Sequence, residues 1–177
     1  MVLVEVVGYS LNEMLCTSSS FLQCFDVGGG MQVFYYGAVF GVVVVMFLSK
    51  EGLADNSKKS SGYASAIFSL IGTLFMWVYW PAFSSALAVN TTDVTIKEVV
   101  STNTTFALVT STLTAFIFTM LYNHKLNVRD IGFASLSGAV AIASGADLII
   151  NIGGVMLVSL FVGWISVSGY NYFSRYL

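Results

Sequence analysis

Long stretches without charged residues dominate the pattern of hydrophobic and polar positions along this chain. A helix needs about 20 predominantly apolar residues to cross the hydrocarbon core of a bilayer. Four stretches approach or exceed that length with at most one charged residue each: 31–49, 60–92, 99–123 and 131–174. The last contains Asp147 and has room for two helices with a turn near Asn151–Gly154. The pattern therefore predicts five membrane-spanning helices.

The amino-terminal segment Val2–Cys16 is a sixth, weaker candidate, because Glu5, Asn12 and Glu13 lower its hydropathy. With this segment included, the sequence predicts an all-α membrane protein with about six transmembrane helices. A multi-pass protein of this kind has the lipid bilayer as its first partner.

Composition supports the same fold class. Hydrophobic residues make up 56% of the 177 residues and charged residues only 9%, whereas soluble domains average about 25% charged residues. The net charge of −2 lacks the basic excess that binds nucleic acid. Composition therefore predicts an integral membrane protein with no nucleic-acid partner.

The basic residues predict how the helices are oriented. Six of the seven fall in loops that alternate onto one face of the membrane: Lys50, Lys58, Lys59, Lys125, Arg129 and Arg175. Cytoplasmic loops carry an excess of Lys and Arg, so this face is predicted to be cytoplasmic. Lys97 is expected on the outer face, in a loop.

Two sequence features leave alternatives open. The "NTT" sequons at Asn90 and Asn103 lie on the predicted outer side; each is either a glycosylation acceptor or an ordinary polar residue at a helix end, and we favour the second. Cys16 and Cys24 either form a disulfide in an oxidising compartment or remain two buried thiols.

The fifth predicted helix, "GFASLSGAVAIASGAD", is built from small residues. Ser137, Ala141 and Gly145 recur at four-residue spacing, beside Ala134 and Gly138. Small side chains let membrane helices approach closely. We therefore expect this helix to be central in the bundle, with Gly138 in a structural contact, and favour tight packing over a ligand role.

Catalytic chemistry is not indicated. His124, the only histidine, lies in a predicted loop, and no Ser/His/Asp set, metal-ligand cluster or phosphate-binding glycine loop surrounds it. The sequence predicts no enzyme, metal or cofactor. Asp26 precedes "VGGGMQVF", where capping of the next helix is favoured over a cation site.

Several stretches resemble the ammonium transporter/Rh family, in its Rh branch. "IGTLFMWVYWPAFSSALA" (71–88) resembles the sixth-span signature, and "DVGGGMQVFYYGAVFGV" (26–42) resembles the Rh pattern of Asp-Val-Gly-Gly, a methionine, then Gly-Ala-x-Phe-Gly. "EVVGYSLNE", "DIGFASLSGAVAIASGAD" and "GGVMLVSLFVGWISVSGY" match in family order. The resemblance implies one incomplete ammonium transporter-like transmembrane domain over residues 1–177. It implies passage of ammonium or ammonia, and assembly as a trimer.

The resemblance also assigns roles to individual residues. It places Trp80 and Phe83 at the outer mouth of the pore and implies that Phe83 is the gating phenylalanine. Pro81 would kink the helix there and redirect the turn that bears Phe83; a plain interfacial aromatic belt is the alternative for Trp77 and Tyr79. Phe34 occupies the position of the first of the family's two pore histidines.

Two departures from the family affect the expected function. A phenyl ring at Phe34 cannot accept or relay a proton. The chain also offers about six of the family's roughly eleven or twelve spans, as a fragment or a truncated member. We therefore expect ammonium or ammonia transport that is impaired. The alternative is a non-conducting structural subunit in a homo- or hetero-trimer of Rh-like chains at the plasma membrane.

Overall fold

The described part of the chain is helical in six segments. The computed structural model describes residues 2–16, 26–48, 62–88, 94–126, 128–148 and 151–173. Its helices are α1 (Val2–Cys16), α2 (Tyr36–Leu48, preceded by π-helical turns over Gly30–Tyr35), α3 (Tyr63–Leu87), α4 (Val94–Asn123), α5 (Val128–Ile142, followed by a 3-10 turn over Ala143–Gly145) and α6 (Ile152–Phe173). The prediction of an all-α fold with six helices is confirmed.

Four of these segments are long and apolar enough to cross a membrane, by length and composition: Gly30–Leu48, Tyr63–Leu87, Val94–Asn123 and Ile152–Tyr172. The apolar segment Asp130–Gly145 is shorter, and α1 has 15 residues. The predicted basic loop at 49–61 lies outside the described residues, as do Asn90, Cys24 and Arg175.

Two predicted boundaries were wrong. Helix α4 begins at Val94, five residues before the expected start, so Lys97 lies in the helix and not in a loop. The break between α5 and α6 precedes Asn151–Gly154. Asn151 caps α6, because its Oδ1 atom accepts a hydrogen bond from the Gly153 amide at 3.0 Å. The two glycines therefore lie inside the first turn of α6.

The tightest packing joins α4, α5 and α6. Its buried apolar residues are mostly small, which allows the backbones to approach closely: Ala107, Ala115, Ala134, Ala139, Val155 and Val167. Helix α3 packs on α4 and α5 with only Trp80 and Ser84 buried, whereas α2 buries no residue.

Helix α5 is central, as predicted, but a different stripe makes the contact. Its buried face carries Ala134, Gly138 and Ile142, while Ser137 is half-buried and Ala141 is exposed. A Cβ atom at Gly138 would lie 2.7 Å from the Ala107 carbonyl oxygen. Spacing alone does not say which of two small-residue stripes faces the neighbouring helix.

Candidate functional site

The segment 26–30 is held against the end of α5 by main-chain hydrogen bonds. The Gly28 amide donates to the Ala143 carbonyl at 2.8 Å, and the Val27 amide donates to the Ser144 carbonyl at 3.3 Å. A Cβ atom at Gly28 would lie 2.5 Å from the Ala143 oxygen. Glycine is therefore needed for this approach, which fixes the start of α2 relative to α5.

Asp26 organises the first turn of the following helix. Its Oδ2 atom accepts hydrogen bonds from the amides of Met31 at 2.8 Å and Gln32 at 2.7 Å. A carboxylate at this position satisfies amides that have no partner within the helix and interacts favourably with the helix dipole. Gly29 has φ of 74°, a left-handed conformation that glycine adopts without strain.

The wide turns that follow set the position of Phe34. The Phe34 amide donates to the Gly29 carbonyl, five residues back, at 3.3 Å, while the Val33 amide donates to the same oxygen at 3.0 Å. Such π-helical turns shift the side chains that follow relative to a regular helix. The result is a Phe34 ring directed at α3.

The structure brings the three predicted pore residues together. The Phe34 ring stacks on Trp80 with centroids 4.8 Å apart and planes inclined by 17°. It meets Phe83 edge-on, with centroids 6.4 Å apart and planes inclined by 68°. Trp80 is 8% exposed and packs on Leu108 and Ala139. We call Phe34, Trp80 and Phe83 the aromatic cluster.

The aromatic cluster offers little to a charged or hydrogen-bonding molecule. Its one polar side-chain atom, the Trp80 Nε1, is buried and has no hydrogen-bond partner among the residues that the structure describes. An indole nitrogen only donates, so the three side chains present no acceptor and no group that titrates near neutral pH. In the described residues no three His, Cys, Asp or Glu side chains form a possible metal site.

Helix α3 continues through Pro81, between Trp80 and Phe83. Because proline has no N–H group, the Trp77 carbonyl loses its usual helical partner. The Trp77 side chain is anchored separately, through Nε1 donating to Thr112 Oγ1 at 3.1 Å. Phe83 is 43% exposed, so this member of the cluster stays accessible while Trp80 is enclosed.

Other residues singled out from the sequence lie away from the cluster. Gly138 is buried between α4 and α5, and His124 is an exposed turn residue with φ of 51°. Asn103 is 2% exposed, and its Nδ2 atom donates to the Ala146 carbonyl at 2.7 Å. Asn103 is thus a buried packing residue within α4. Pairing of Cys16 with Cys24 stays a prediction.

Sequence reasoning missed two features of the site. Docking of 26–30 on the 3-10 turn of α5 joins residues more than a hundred positions apart, and the run of three glycines was its only signal. The enclosure of Trp80 by Leu108 and Ala139 had no signal, because no local pattern shows which face of α3 meets α4 and α5.

Comparison with known proteins agrees with this arrangement. The family model described as Ammonium Transporter Family matches residues 2–177. The chain is 34% identical over 180 residues to ammonium transporter Rh type B of Danio rerio, covering 100% of this chain and 38% of that protein. It is 34% identical over 176 residues to Rhesus-like glycoprotein B of Dictyostelium discoideum, covering 98% of this chain and 28% of that protein.

A solved structure of Nitrosomonas europaea Rh50, described with the mechanism of conduction by the Rhesus protein family of channels, has a similar fold. It superposes with a TM-score of 0.83 at 30% identity, covering 95% of this chain and 44% of that one. The chain thus spans less than half the length of these relatives. With the family model matched over nearly every residue, the chain belongs to the Ammonium Transporter Family.

Proposed function

We propose that this chain forms the central part of an Rh-type pathway for ammonium nitrogen, and that the pathway passes neutral ammonia slowly rather than ammonium ions. The observation that carries the proposal is the contact among Phe34, Trp80 and Phe83, on three positions that the family resemblance assigns to the pore. The family match over residues 2–177 supports the ammonium or ammonia substrate.

Phe34 accounts for the preference for the neutral species. An imidazole at this position would accept and donate hydrogen bonds and bind a proton near neutral pH. A phenyl ring does neither, and here it lies flat on Trp80. An ammonium ion entering this region would lose its hydration water without gaining hydrogen-bond acceptors from the protein. That desolvation costs several kcal/mol even after relaxation of the surroundings, whereas ammonia carries no charge to desolvate.

Aromatic attraction does not offset that cost. A cation over an aromatic face gains about 0.5–2 kcal/mol. The face of Trp80 that meets Phe34 is already covered by the stacked ring, which leaves Phe83, at 43% exposure, as the accessible member. The outer ring can attract ammonium while the enclosed pair impedes its passage.

The alternative function is a non-conducting structural subunit. Its support is the large apolar surface of α2 and α3, where Phe47 is 85% and Phe68 is 75% exposed. Such surfaces suit packing against lipid or against other Rh-like spans. We propose in either case a trimer, of this chain alone or with Rh-like chains, in the plasma membrane.

Uptake of labelled methylammonium by cells expressing the chain, together with current recording, tests the proposal. We expect slow, electrically silent flux that rises with the neutral fraction of the amine. The same measurement on Phe34→His should show faster uptake, and Phe47→His, on the exposed face of α2, serves as the matched control. A saturable ammonium current in the unaltered chain would overturn the preference for ammonia. Absence of uptake in the chain and in Phe34→His would favour the structural subunit.

A further inference from the structure

An open pocket with charged and hydroxyl side chains lies between the end of α3 and the start of α4, and none of the three residues of the aromatic cluster is among its described lining residues. Its volume is about 460 Å³, within the roughly 300–1,000 Å³ of small-molecule sites. Its described lining residues are Ser85, Val94, Lys97, Glu98, Ser101 and Thr102. We call it the α3–α4 pocket. It places one positive and one negative charge side by side with three hydroxyl groups.

The length of α4 places this pocket at the level of lipid headgroups. With a rise of 1.5 Å per residue, the 30 residues of α4 extend about 45 Å, compared with about 30 Å for the hydrocarbon core. Counting back about 20 residues from Leu121, beside the polar end of the helix, reaches Thr102. Residues 94–101 then lie in the interfacial layer, where phosphate and amine groups of lipids are found.

The chemistry of the pocket matches a ligand that carries both signs of charge. Lys97 favours a phosphate, and the position of the pocket at the amino-terminal end of α4 adds to this preference through the helix dipole. Glu98 favours a positively charged amine and disfavours a second negative charge. Lys97 and Glu98 are both exposed, and neither forms an ion pair within the described residues. Because both side chains are exposed and line the pocket, a ligand there can reach them.

We propose that the α3–α4 pocket binds the headgroup of a zwitterionic glycerophospholipid, such as a phosphoethanolamine or phosphocholine lipid. Lys97, with the hydroxyls of Ser101 and Thr102, holds the phosphate, and Glu98 holds the amine. The acyl chains follow the exposed apolar residues of α3 and α4 into the membrane. This site does not depend on conduction, so it stands whether or not the chain transports ammonia.

Binding of defined lipids to the purified chain, measured by native mass spectrometry, tests the proposal. Three probes are compared: phosphatidylethanolamine, phosphatidylglycerol with the same acyl chains, and soluble glycerophosphoethanolamine. We expect phosphatidylethanolamine to bind most tightly, because phosphatidylglycerol lacks the amine and the soluble compound lacks the acyl chains. Equal binding of the two lipids, or tighter binding of phosphatidylglycerol, would overturn the proposal. So would equal binding of soluble glycerophosphoethanolamine, which would indicate a free phosphodiester site.

Substitutions separate the two charges. Lys97→Met should weaken binding of both lipids about fivefold to tenfold, and Lys97→Arg should retain most of it. Glu98→Gln should weaken the binding of phosphatidylethanolamine and strengthen the binding of phosphatidylglycerol. The preference for phosphatidylethanolamine should therefore become smaller or reverse. Lys125→Met, at the other end of α4, and Glu5→Gln, exposed on α1, are the matched controls.

Two results would contradict the site even if lipid binds. One is an equal loss of binding in Lys125→Met, which would indicate general attraction to the basic end of the protein. The other is efficient cross-linking between two copies through cysteine at Thr102, which would assign the pocket to an interface between chains. All variants alter exposed side chains, and unchanged helix content by circular dichroism verifies that they fold.

Discussion

Phe34 and Trp80 illustrate how one side chain affects both stability and selectivity. Stacking with centroids 4.8 Å apart contributes about 0.5–1.5 kcal/mol beyond the area buried. The same contact removes one face of Trp80 from any interaction with a cation. A residue that lacks the proton chemistry of histidine therefore also strengthens packing between the start of α2 and α3.

Truncation of Phe34 should expose this packing role. Phe34→Ala removes the ring that covers Trp80, and we expect it to lower the free energy of unfolding by about 2–3 kcal/mol. Full burial of a phenylalanine gives losses of about 3–5 kcal/mol, and Phe34 is only half-buried. Denaturant unfolding in mild detergent, followed by tryptophan fluorescence, measures the change. Phe47→Ala, at an 85% exposed position, should change it little; equal losses would show that the stack does not stabilise the fold.

The sequence identified the residues of the aromatic cluster but not their contacts. Trp80, Phe83 and Phe34 were found because "WPAF" and "DVGGGMQVF" resemble family motifs, which assign positions. The resemblance could not predict that Phe34 lies flat on Trp80, because a motif assigns positions along the chain and not contacts between side chains. Nor could it show that the Trp80 Nε1 is buried with no hydrogen-bond partner in the described part of the chain. Both are consequences of tertiary packing around a substituted residue.

Among the helices, α5 shows how a close contact depends on one missing side chain. A Cβ atom at Gly138 would lie 2.7 Å from both the Ala107 oxygen and the Ser111 Cβ atom. Neither neighbour can move easily. The Ser111 Oγ atom also lies 2.6 Å from the Ser135 carbonyl, to which it donates a hydrogen bond between the two helices.

Even a methyl group should therefore disrupt the α4–α5 contact. We expect Gly138→Ala to cost about 1–3 kcal/mol of unfolding free energy and Gly138→Leu to prevent stable packing. Gly72→Ala on α3 is the control, since no atom of the described residues lies within 4 Å of its Cβ position. It should be neutral or stabilise the helix by up to about 1 kcal/mol. Thermal unfolding in detergent compares the stability of these variants. Leu136→Ala, a large-to-small substitution on the same helix, should lower the stability less than Gly138→Leu does. Equal stability of Gly72→Ala and Gly138→Ala would contradict the close contact between α4 and α5 at Gly138.

Helix α4 gives a second prediction at this scale, on modification of its sequon. Asn103 lies three turns into a continuous helix, is 2% exposed and donates to the Ala146 carbonyl. Glycosylation requires an accessible asparagine on a surface loop. We therefore expect Asn103→Gln to leave the electrophoretic mobility of protein from a glycosylating host unchanged. Loss of a glycan-sized mass in that variant, with Asn151→Gln unchanged, would show that the acceptor is exposed before α4 packs.

Long apolar helices were predictable from the sequence, whereas their irregular ends were not. Uncharged runs predicted α2, α3, α4 and α6, because a helix that crosses the bilayer needs a long run of apolar residues. The π-helical turns before α2 and the 3-10 turn after α5 have no local sequence signal. They arise because 26–30 and 143–145 hydrogen-bond to each other across the fold. The start of α4 was misplaced for a related reason, since Lys97 and Glu98 resemble loop residues yet lie in the first turns of a helix.

In the whole molecule, a packed group of α4, α5 and α6 supports less enclosed helices at its edge. Apolar residues of α2 and α3 remain broadly exposed, so lipid or further spans must cover them. Helix α4 fixes the orientation of the group relative to the membrane. Lys97 lies near its start and Lys125 lies two residues past its last residue, Asn123; the helix between positions 97 and 123 extends about 39 Å at 1.5 Å per residue.

Charge distribution predicts which of these ends is cytoplasmic. Lys125 lies in the connection to α5, and Arg129 follows in the first turn of α5; both belong to the six basic residues that the sequence predicts on one face, whereas Lys97 is the one outside that group. Because short basic loops are retained in the cytoplasm, Lys125 should face the cytoplasm and Lys97 the exterior. The α3–α4 pocket would then contact the outer leaflet.

Cysteine accessibility measures this orientation. After Cys16 and Cys24 are replaced by serine, a membrane-impermeant maleimide applied to intact cells should label Lys97→Cys and spare Lys125→Cys until the cells are permeabilised. Thr110→Cys, buried within α4, should stay unlabelled in both conditions and controls for local unfolding. The reverse pattern would show that the basic loops do not set the topology. Labelling of both positions from outside would mean that α4 does not cross the membrane, because the two ends of a helix that spans the bilayer lie on opposite faces.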